Sequence, residues 1–576
     1  MFPFFGRKNK TPVEFDEIFM DSSNLPAFNR GRLEGRLELP ISQRGILMLG
    51  VSFLIISLVF FGKLFSLQVI HGAEYRERSD NNRIDQGIII AERGVIYDRN
   101  GEMLAWNGTD YAEERGFPLR TYTDRAGLGQ LLGYVSYPQK DNNGFYYRTD
   151  YIGRTGLESV VEDVLHGKNG QQIIEVDVGG EVISSLTFEQ SRPGESFTTS
   201  VDAELSEAMY NIINDAVEEA GFRSGAGAII DVETGEIIAM TSFPSFDPEV
   251  MANGSDSDLI TSYNEDERFP FLNKLVGGVY TPGSIVKPFM AYAALAEGVI
   301  SADRQIISNG KLTIPNPYYP DQPTHFGDWR AHGATDMRTA IAYSSDVYFY
   351  IIGGGLPAIA APQAGVGEFT GLGIARIDEY MKLFGIGELT GINFSGEQEG
   401  LIPTPEWKEE TFGEEWRLGN TYHSSIGQFG FLVTPIQMLR AFAAIANGGK
   451  LLTPTLTKDE TPEYKDLELN ESYLQVIKDG MRLAVNKDGG TVRGLDLNYV
   501  SIAGKSGTAE IGVDKSHVNS WVAGFWPVEK PRYAFVLLME WAPSTNSLGA
   551  SWVMREVFDW MKENRPEYVP TSEPSL

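Results

Sequence analysis

The chain has 576 residues, 42% of them apolar and 22% charged, which describes a globular protein long enough for two or three domains. Its net charge of −30, with no basic stripe, argues against nucleic-acid binding. Cysteine is absent, which removes thiolate catalysis, cysteine-based zinc sites and disulfides, and leaves the redox compartment open.

From Gly45 to Gly62 no residue carries a charge. At about 1.5 Å per residue this run makes roughly 27 Å of helix, close to the thickness of bilayer hydrocarbon. The apolar character continues past Lys63, whose amine can reach the headgroups, so a membrane helix is expected over 45–70. A cleaved signal peptide fits poorly, because the charged region before the run is far too long and no A-x-A-like site follows it. Arg7, Lys8, Lys10, Arg30, Arg32, Arg36 and Arg44 precede the run, whereas Arg76 and Arg78 follow it. The positive-inside rule then keeps residues 1–44 in the cytoplasm and exports the rest.

Two blocks follow. In residues 71–195 short β-like runs are punctuated by Gly and Asp: Gln86 to Ile90, Arg93 to Asp98 leading into an Asn100-Gly101 hairpin turn, and Ile173 to Val178. Gly156 to Leu165 has helical spacing and stops at Gly167. With no catalytic constellation, this block reads as a structural pedestal. In residues 196–565 a hairpin is predicted from Gly225–Ile230 and Ile237–Met240 around a Thr234-Gly235 turn, with further strands at Trp521–Phe525 and Tyr533–Glu540. Helical stretches lie between them, at Met290–Leu295, Pro435–Asn447 and Tyr473–Val485. Helices enclosed by terminal strands predict an α+β fold, one antiparallel sheet covered by a helical layer. The Pro/Ser/Glu-rich end, 566–576, reads as a frayed tail.

Three short motifs carry the chemistry. Ser284-Ile285-Val286-Lys287 reads S-x-x-K, Ser344-Ser345-Asp346 reads S-x-D, and Lys505-Ser506-Gly507-Thr508 reads K-S-G-T. Together they are the parts of a serine acyl-transfer site with lysine as base. S-x-x-K alone is weak, and Ser308 to Lys311 is a second match, but that one sits in an Asn-Gly turn followed by prolines. Ser284 instead follows a Thr-Pro-Gly turn and precedes a long apolar stretch. Pro288 is tolerable only in a first helical turn, so a helix is expected to begin near Ser284 and to bring the Lys287 amine beside the Ser284 hydroxyl. S-x-D lies at an expected break between two helices, where the plainer account is a helix cap. Gly504-Lys505-Ser506 imitates a phosphate loop, but Tyr499 stands where that motif needs glycine. Val500 to Ala509 reads instead as a strand edge open to an extended peptide, with Gly507 allowing close approach of a substrate backbone. Asp321, His325, Asp328 and His332 form a polar cluster that could hold a metal, although a solvated loop is the expected account. No G-x-S-x-G or H-E-x-x-H pattern occurs.

With all three motifs in order, the chain resembles the class B penicillin-binding proteins, monofunctional peptidoglycan D,D-transpeptidases. Arg93 to Arg99 and Arg154 to Glu158 look like that family's stalk signatures; Tyr280 to Ser284, Ser425 to Gln428, Thr434 to Gln437 and Ala446 to Gly449 also fit. Asp346 in S-x-D, with Asp328-Trp329 and His332-Gly333 upstream, looks more like the elongation type than the division type. Two departures bear on partner contacts. The stalk is short between Asn107 and Gly133, and Leu356 to Gly373 looks like an insertion.

The resemblance implies a β-lactamase-like serine-transferase domain at 196–565 on a shortened, dimerisation-type pedestal at 71–195. It implies that Ser284 attacks the penultimate D-Ala carbonyl of a stem pentapeptide and that Lys287, kept partly neutral by burial and by Lys505, takes its proton. Ser344 would relay that proton, and Asp346 would orient Lys287 or bind the substrate amide. Backbone amides of Ser284 and Thr508 would form the oxyanion hole, while Lys505, Ser506 and Thr508 hold the donor's carboxylate and strand. No metal or organic cofactor is expected. β-Lactams would acylate Ser284, and a SEDS-family glycan polymerase in the membrane would be the partner. The competing readings are a division-type transpeptidase and a membrane-anchored β-lactam sensor or scaffold without turnover.

Overall fold

The structure is a computed structural model that describes residues 43–81, 84–109, 116–141, 146–176, 182–316, 319, 321–512, 514–546 and 548–570. The expected cytoplasmic tail up to residue 42, the end of the predicted strand at 177–178 and the last residues, 571–576, lie outside them. Residues 86–173 and 185–570 belong to one compact body, and the stretch up to Asp85 with 174–184 to another.

Helix α1, Gln43–Phe65, continues through a single π turn at Ser66–Ile70. Residues 44–70 are long and apolar enough to cross a membrane, and their apolar side chains are exposed. Leu47, Phe53, Leu58 and Phe61 are all exposed, which is costly in water and natural in lipid.

In the larger body, the pedestal is built where the predicted stalk signatures meet. Strand β1, Ile96–Tyr97, pairs with Met103–Asn107, and Phe197–Thr198 adds to it in parallel. The Asn100-Gly101 turn forms as predicted: the Asp98 carboxylate accepts from the amides of Asn100 and Glu102, at 2.8 Å each, and Gly101 takes a φ of 88°. The predicted helix over 156–165 is two short ones, Gly156–Val160 and Glu162–Leu165, broken beside the β-branched pair Val160-Val161.

The catalytic half is organised by a five-stranded antiparallel sheet of β2 (Ser224–Asp231), β3 (Ile237–Phe243), β4 (Ala503–Ile511), β5 (His517–Trp526) and β6 (Tyr533–Pro543), in the order β3-β2-β6-β5-β4. Period-two alternation buries both faces of its central strand. Ala534, Val536 and Leu538 join the core under the helical layer, whereas Phe535, Leu537 and Met539 join a second core. That second core is closed by α2 (Ala203–Ala220) and α8 (Ala550–Asn564), through residues such as Met209, Ile213, Val553 and Phe558. On the other face lie α3 (Lys287–Ala296), α4 (Met337–Tyr343), α5 (Asp346–Gly354), α6 (Pro435–Ala446) and α7 (Glu471–Asn486). Helix α3 is apolar all round and buried from Lys287 to Leu295, as a helix at the centre of a layer must be. One placement matters most for function. Strand β4, which carries K-S-G-T, is an edge of the sheet.

One expectation needs correction. The start of the C-terminal tail is docked rather than frayed: Tyr568 and Val569 are buried, Trp526 Nε1 donates to the Tyr568 carbonyl at 2.8 Å, and the Tyr568 hydroxyl donates to Asp202 at 3.2 Å. The Pro/Ser/Glu composition concealed a few residues with a specific seat. The segment 356–373, which looks like an insertion, is packed against its surroundings. Leu356 pairs with Phe369, and the Gln363 amide both accepts from the Thr313 amide at 2.9 Å and donates to its carbonyl at 2.7 Å.

Candidate active site

Ser284 lies in a 3₁₀ turn, Gly283–Val286, that leads directly into α3, with Pro288 in the first turn of that helix. Gly283 has a φ of 55°, and its amide donates to the Gly427 carbonyl at 3.0 Å. A Cβ on Gly283 would stand 2.8 Å from the Thr508 carbonyl oxygen, and one on Gly507 would stand 2.8 Å from that of Pro282. The serine turn and strand β4 are thus pressed together through two glycines. Gly507 makes room for the protein's own backbone, not for a substrate strand as the sequence suggested.

Lys287 follows Ser284 by three residues, and its amide donates to the Ser284 carbonyl. Its side chain is fully buried, and its three N–H groups have three acceptors: Asp346 Oδ1 at 2.6 Å, the Ser344 carbonyl at 2.8 Å and Ser344 Oγ at 3.2 Å. Ser344 sits at the predicted break between α4 and α5 with a φ of 57°. The cap of α5 is neither Ser344 nor Asp346 but Ser345, whose side chain accepts from the Tyr348 amide. Lys505, also fully buried, donates to the same Ser344 Oγ at 2.9 Å and to the Ser506 carbonyl at 2.7 Å. Two amines from distant parts of the chain therefore meet on one hydroxyl. Among the described residues, Ser284 Oγ has no hydrogen-bond partner, so the expected contact between it and the Lys287 amine is not made in the free protein.

Burial pushes the Lys505 amine far below the usual lysine range, and the neighbouring Lys287 charge pushes the same way against the weaker pull of Asp346. No carboxylate lies within ion-pair distance of Lys505 among the described residues, whereas Lys287 has Asp346. Burial in turn raises the Asp346 carboxyl, opposed by Lys287. Burial therefore biases the Lys505 amine toward its uncharged form.

Ser284, Ser344, Asp346, Ser506, Thr508 and Trp329 line one open cleft of about 480 Å³. Ser506 and Thr508 alternate with buried Lys505 and Gly507 along β4, so both hydroxyls share the cleft side.

The polar cluster noted in the sequence splits in two. His325 is exposed on a strand, with Nδ1 3.0 Å from Thr313 Oγ1, and Asp321 is exposed as well. Asp328 and His332, by contrast, are not part of a solvated loop: both side chains are inaccessible to solvent. No cluster able to hold a metal occurs among the described residues. Asp328 Oδ2 accepts from Ser345 Oγ at 2.9 Å, Ser308 Oγ at 3.0 Å and the Val347 amide at 3.1 Å, while Oδ1 accepts from the Trp329 amide and His332 Nε2. Sequence reasoning missed this strut under S-x-D, and it even dismissed Ser308, which serves here as a donor. Its sequence signals were the Asp328-Trp329 and His332-Gly333 pairs upstream of S-x-D.

Burial pushes the Asp328 carboxyl up, but the His332 and Val347 hydrogen bonds outweigh it and hold the group at about 2. Because this pKa lies below that of the unfolded chain, the stabilisation is complete above about pH 4 and lost as pH falls toward 2. Asp328→Asn is expected to cost about 2 kcal/mol at pH 7 and to flatten that acid-side slope, as read from thermal unfolding across pH. A variant as stable as wild type at pH 7 would show that the strut is idle.

Comparison with known proteins agrees with this geometry. Residues 225–559, more than half of the chain, match the penicillin binding protein transpeptidase domain, and residues 117–199 match the penicillin-binding protein dimerisation domain. The peptidoglycan D,D-transpeptidase MrdA of Escherichia coli K12 is 26% identical over 90% of this chain and 93% of its own length. The crystal structure of Pseudomonas aeruginosa PBP2 in complex with WCK 5153 superposes with a TM-score of 0.64 at 28% identity, covering 83% of this chain and 98% of that one. A chain from a peptidoglycan synthase complex, studied for the coordination of polymerization and crosslinking, gives 0.68 at 26% identity, covering 92% and 99%. With S-x-x-K, S-x-D and K-S-G-T gathered around one cleft, the chain belongs to the penicillin-binding protein transpeptidase family.

Proposed function

We propose that the protein is an elongation-type peptidoglycan D,D-transpeptidase that cross-links stem peptides through a Ser284 acyl-enzyme. The observation that carries this is the meeting of Lys287 and Lys505 on Ser344 Oγ, in the cleft that Ser284 lines beside an open sheet edge. The donor stem peptide lies along β4, held by Ser506 and Thr508. Lys287 first passes a proton to Ser344 Oγ, whose own proton goes to the Lys505 amine, which burial biases toward the uncharged form. The freed Lys287 amine then takes the Ser284 proton as Ser284 Oγ attacks the penultimate D-Ala carbonyl. Substrate binding must therefore turn the amine toward Ser284, as tightening in the complex commonly does. Lys287 returns its new proton through Ser344 to the departing D-Ala nitrogen. The Ser284 and Thr508 amides, close because Gly283 abuts the Thr508 backbone, stabilise the oxyanion. An amine from a second stem peptide then attacks the ester carbonyl; Lys287 takes its proton and passes it to the departing Ser284 oxygen, and Lys505 returns its own extra proton through Ser344 to Lys287, completing the cross-link.

Residues 1–44 lie in the cytoplasm on this reading, with the pedestal (71–195) and catalytic domain (196–565) outside the membrane. β-Lactams acylate Ser284, and the partner is a SEDS-family glycan polymerase. The likeness to a chain of a peptidoglycan synthase complex supports that partner. Fluorescent penicillin is expected to label the wild-type chain and not Ser284→Ala, and D-Ala release from a stem pentapeptide is expected to vanish with the label. Labelling that survives in Ser284→Ala would remove Ser284 as nucleophile.

A further inference from the structure

One side of the cleft mouth carries a cation that the chemistry above does not use. Trp329 lines the cleft and is 56% exposed, and its ring is fixed by donation from Nε1 to the Tyr343 carbonyl at 3.1 Å. The Arg330 guanidinium lies 4.4 Å above that ring and 5.3 Å from the Tyr343 ring centre. It donates from Nε to His332 Nδ1 at 3.2 Å and from Nη2 to the Gly489 carbonyl at 3.1 Å. The backbone is shaped around it: a Cβ on Gly489, whose φ is 81°, would stand 3.0 Å from Arg330 Nη2. Two residues further on, Thr491 lines the cleft, so Arg330 bridges two of its walls. Lys487 adds a second cation, 5.6 Å from the Tyr343 ring centre.

This guanidinium is held by neutral acceptors and aromatic faces alone. In a chain of net charge −30, no carboxylate is within ion-pair distance of Arg330 or Lys487 among the described residues. Arg330 is exposed, and its two bonds leave further N–H donors over, beside Trp329 and Thr491 of the cleft. The site is also wired inward. Because His332 Nδ1 accepts from Arg330, the ring donates from Nε2 to Asp328, which holds Ser345 of S-x-D. A rigid, unneutralised guanidinium stacked on indole is suited to a planar anion.

We propose that Arg330, seated on Trp329 with Lys487 beside it, is a carboxylate-reading subsite that selects stem peptides bearing a free carboxylate on their third residue. The proposal rests on the transpeptidase reading above and deepens it. The carboxylate can come from the donor or from the acceptor stem peptide. The bland alternative is a staple that only ties the 487–491 loop to Trp329.

The test measures equilibrium binding to the full-length Ser284→Ala chain in detergent. The probes are paired synthetic stem peptides that differ only in whether the third residue's side-chain carboxylate is free or amidated. One arm uses donor pentapeptides ending in D-Ala-D-Ala, the other acceptor tripeptides with a free amine. In one arm the free acid is expected to bind about tenfold tighter than the amide at low ionic strength, with the ratio shrinking as salt is raised. Adding Arg330→Gln brings the ratio near one, and the arm that responds identifies the source. Equal affinity for acid and amide in both arms overturns the subsite, as does an Arg330→Gln loss that is the same for acid and amide, which is what a staple gives. The preference is read within one protein, so it is already tested with Arg330 in place, whatever the variant's folding. Penicillin labelling of the wild-type chain separates the two readings. A labelled protein that ignores the carboxylate loses only the subsite; an unlabelled one loses the transpeptidase assignment.

Discussion

Lys287→Met is expected to slow acylation of Ser284 by penicillin about a thousandfold, the scale of a lost general base. The methionine keeps most of the volume and apolar stem, so the change removes an amine and little else. That amine holds Asp346, the Ser344 carbonyl and Ser344 Oγ together, and it is the only member of the network three residues along the chain from the nucleophile. Lys287→Arg is the informative companion. It keeps a charge for Asp346 but cannot act as an uncharged base, so it should fail at acylation nearly as badly while unfolding at a temperature closer to wild type. Because burial and the Lys287 charge hold Lys505 low, acylation should fall toward acid pH as Lys505 takes up a proton and closes the relay. The measurement is the second-order rate of labelling by a fluorescent penicillin across pH. A Lys287→Met chain that labels within tenfold of wild type would mean that the proton leaves Ser284 by another route.

Local chemistry explains which parts of this molecule could be read from its residues. The hairpin of β2 and β3 was legible because Asp231-Val232-Glu233-Thr234-Gly235 is a self-sufficient turn, with the Asp231 carboxylate accepting from the Glu233 and Thr234 amides. Helix α6 was legible because Thr434 caps it, Pro435 opens it and Gln437 closes a capping box. The nucleophile turn was legible because Pro288 fits only a first helical turn. What stayed hidden is what depends on partners far along the chain. Asp328 finds Ser308, Ser345 and Val347 through the fold, and nothing in its neighbouring residues announces that. The same holds for Gly507, whose neighbour is Pro282 rather than substrate. The burial that pushes Lys505 down has the same origin.

Glu158→Ala should destabilise the pedestal by about 3–5 kcal/mol, the usual cost of stripping one partner from a buried ionic cluster. Glu158 comes from one predicted stalk signature and Arg93 from the other, and the structure joins them. Arg93 Nε meets Glu158 Oε2 at 2.5 Å, and Arg120 Nε meets Oε1 at 2.7 Å, with all three side chains essentially inaccessible to solvent. Arg93 has a second carboxylate in Glu162 at 2.6 Å and a further bond to the Glu158 carbonyl. Arg120 has no other ion pair among the described residues, only Asn107 Oδ1 at 3.5 Å, and one nitrogen of each guanidinium is already unpartnered. Removing Glu158 therefore leaves a buried cation at Arg120 with nothing to neutralise it. The double change Glu158→Leu with Arg120→Met removes the charge together with its partner and should recover much of the loss, because matched apolar replacement of a buried pair is often neutral. Thermal unfolding of the single and double variants decides the matter. A double variant less stable than Glu158→Ala would mean that the pedestal depends on the guanidinium itself, and that the two stalk signatures are held together by Arg120's packing rather than by charge.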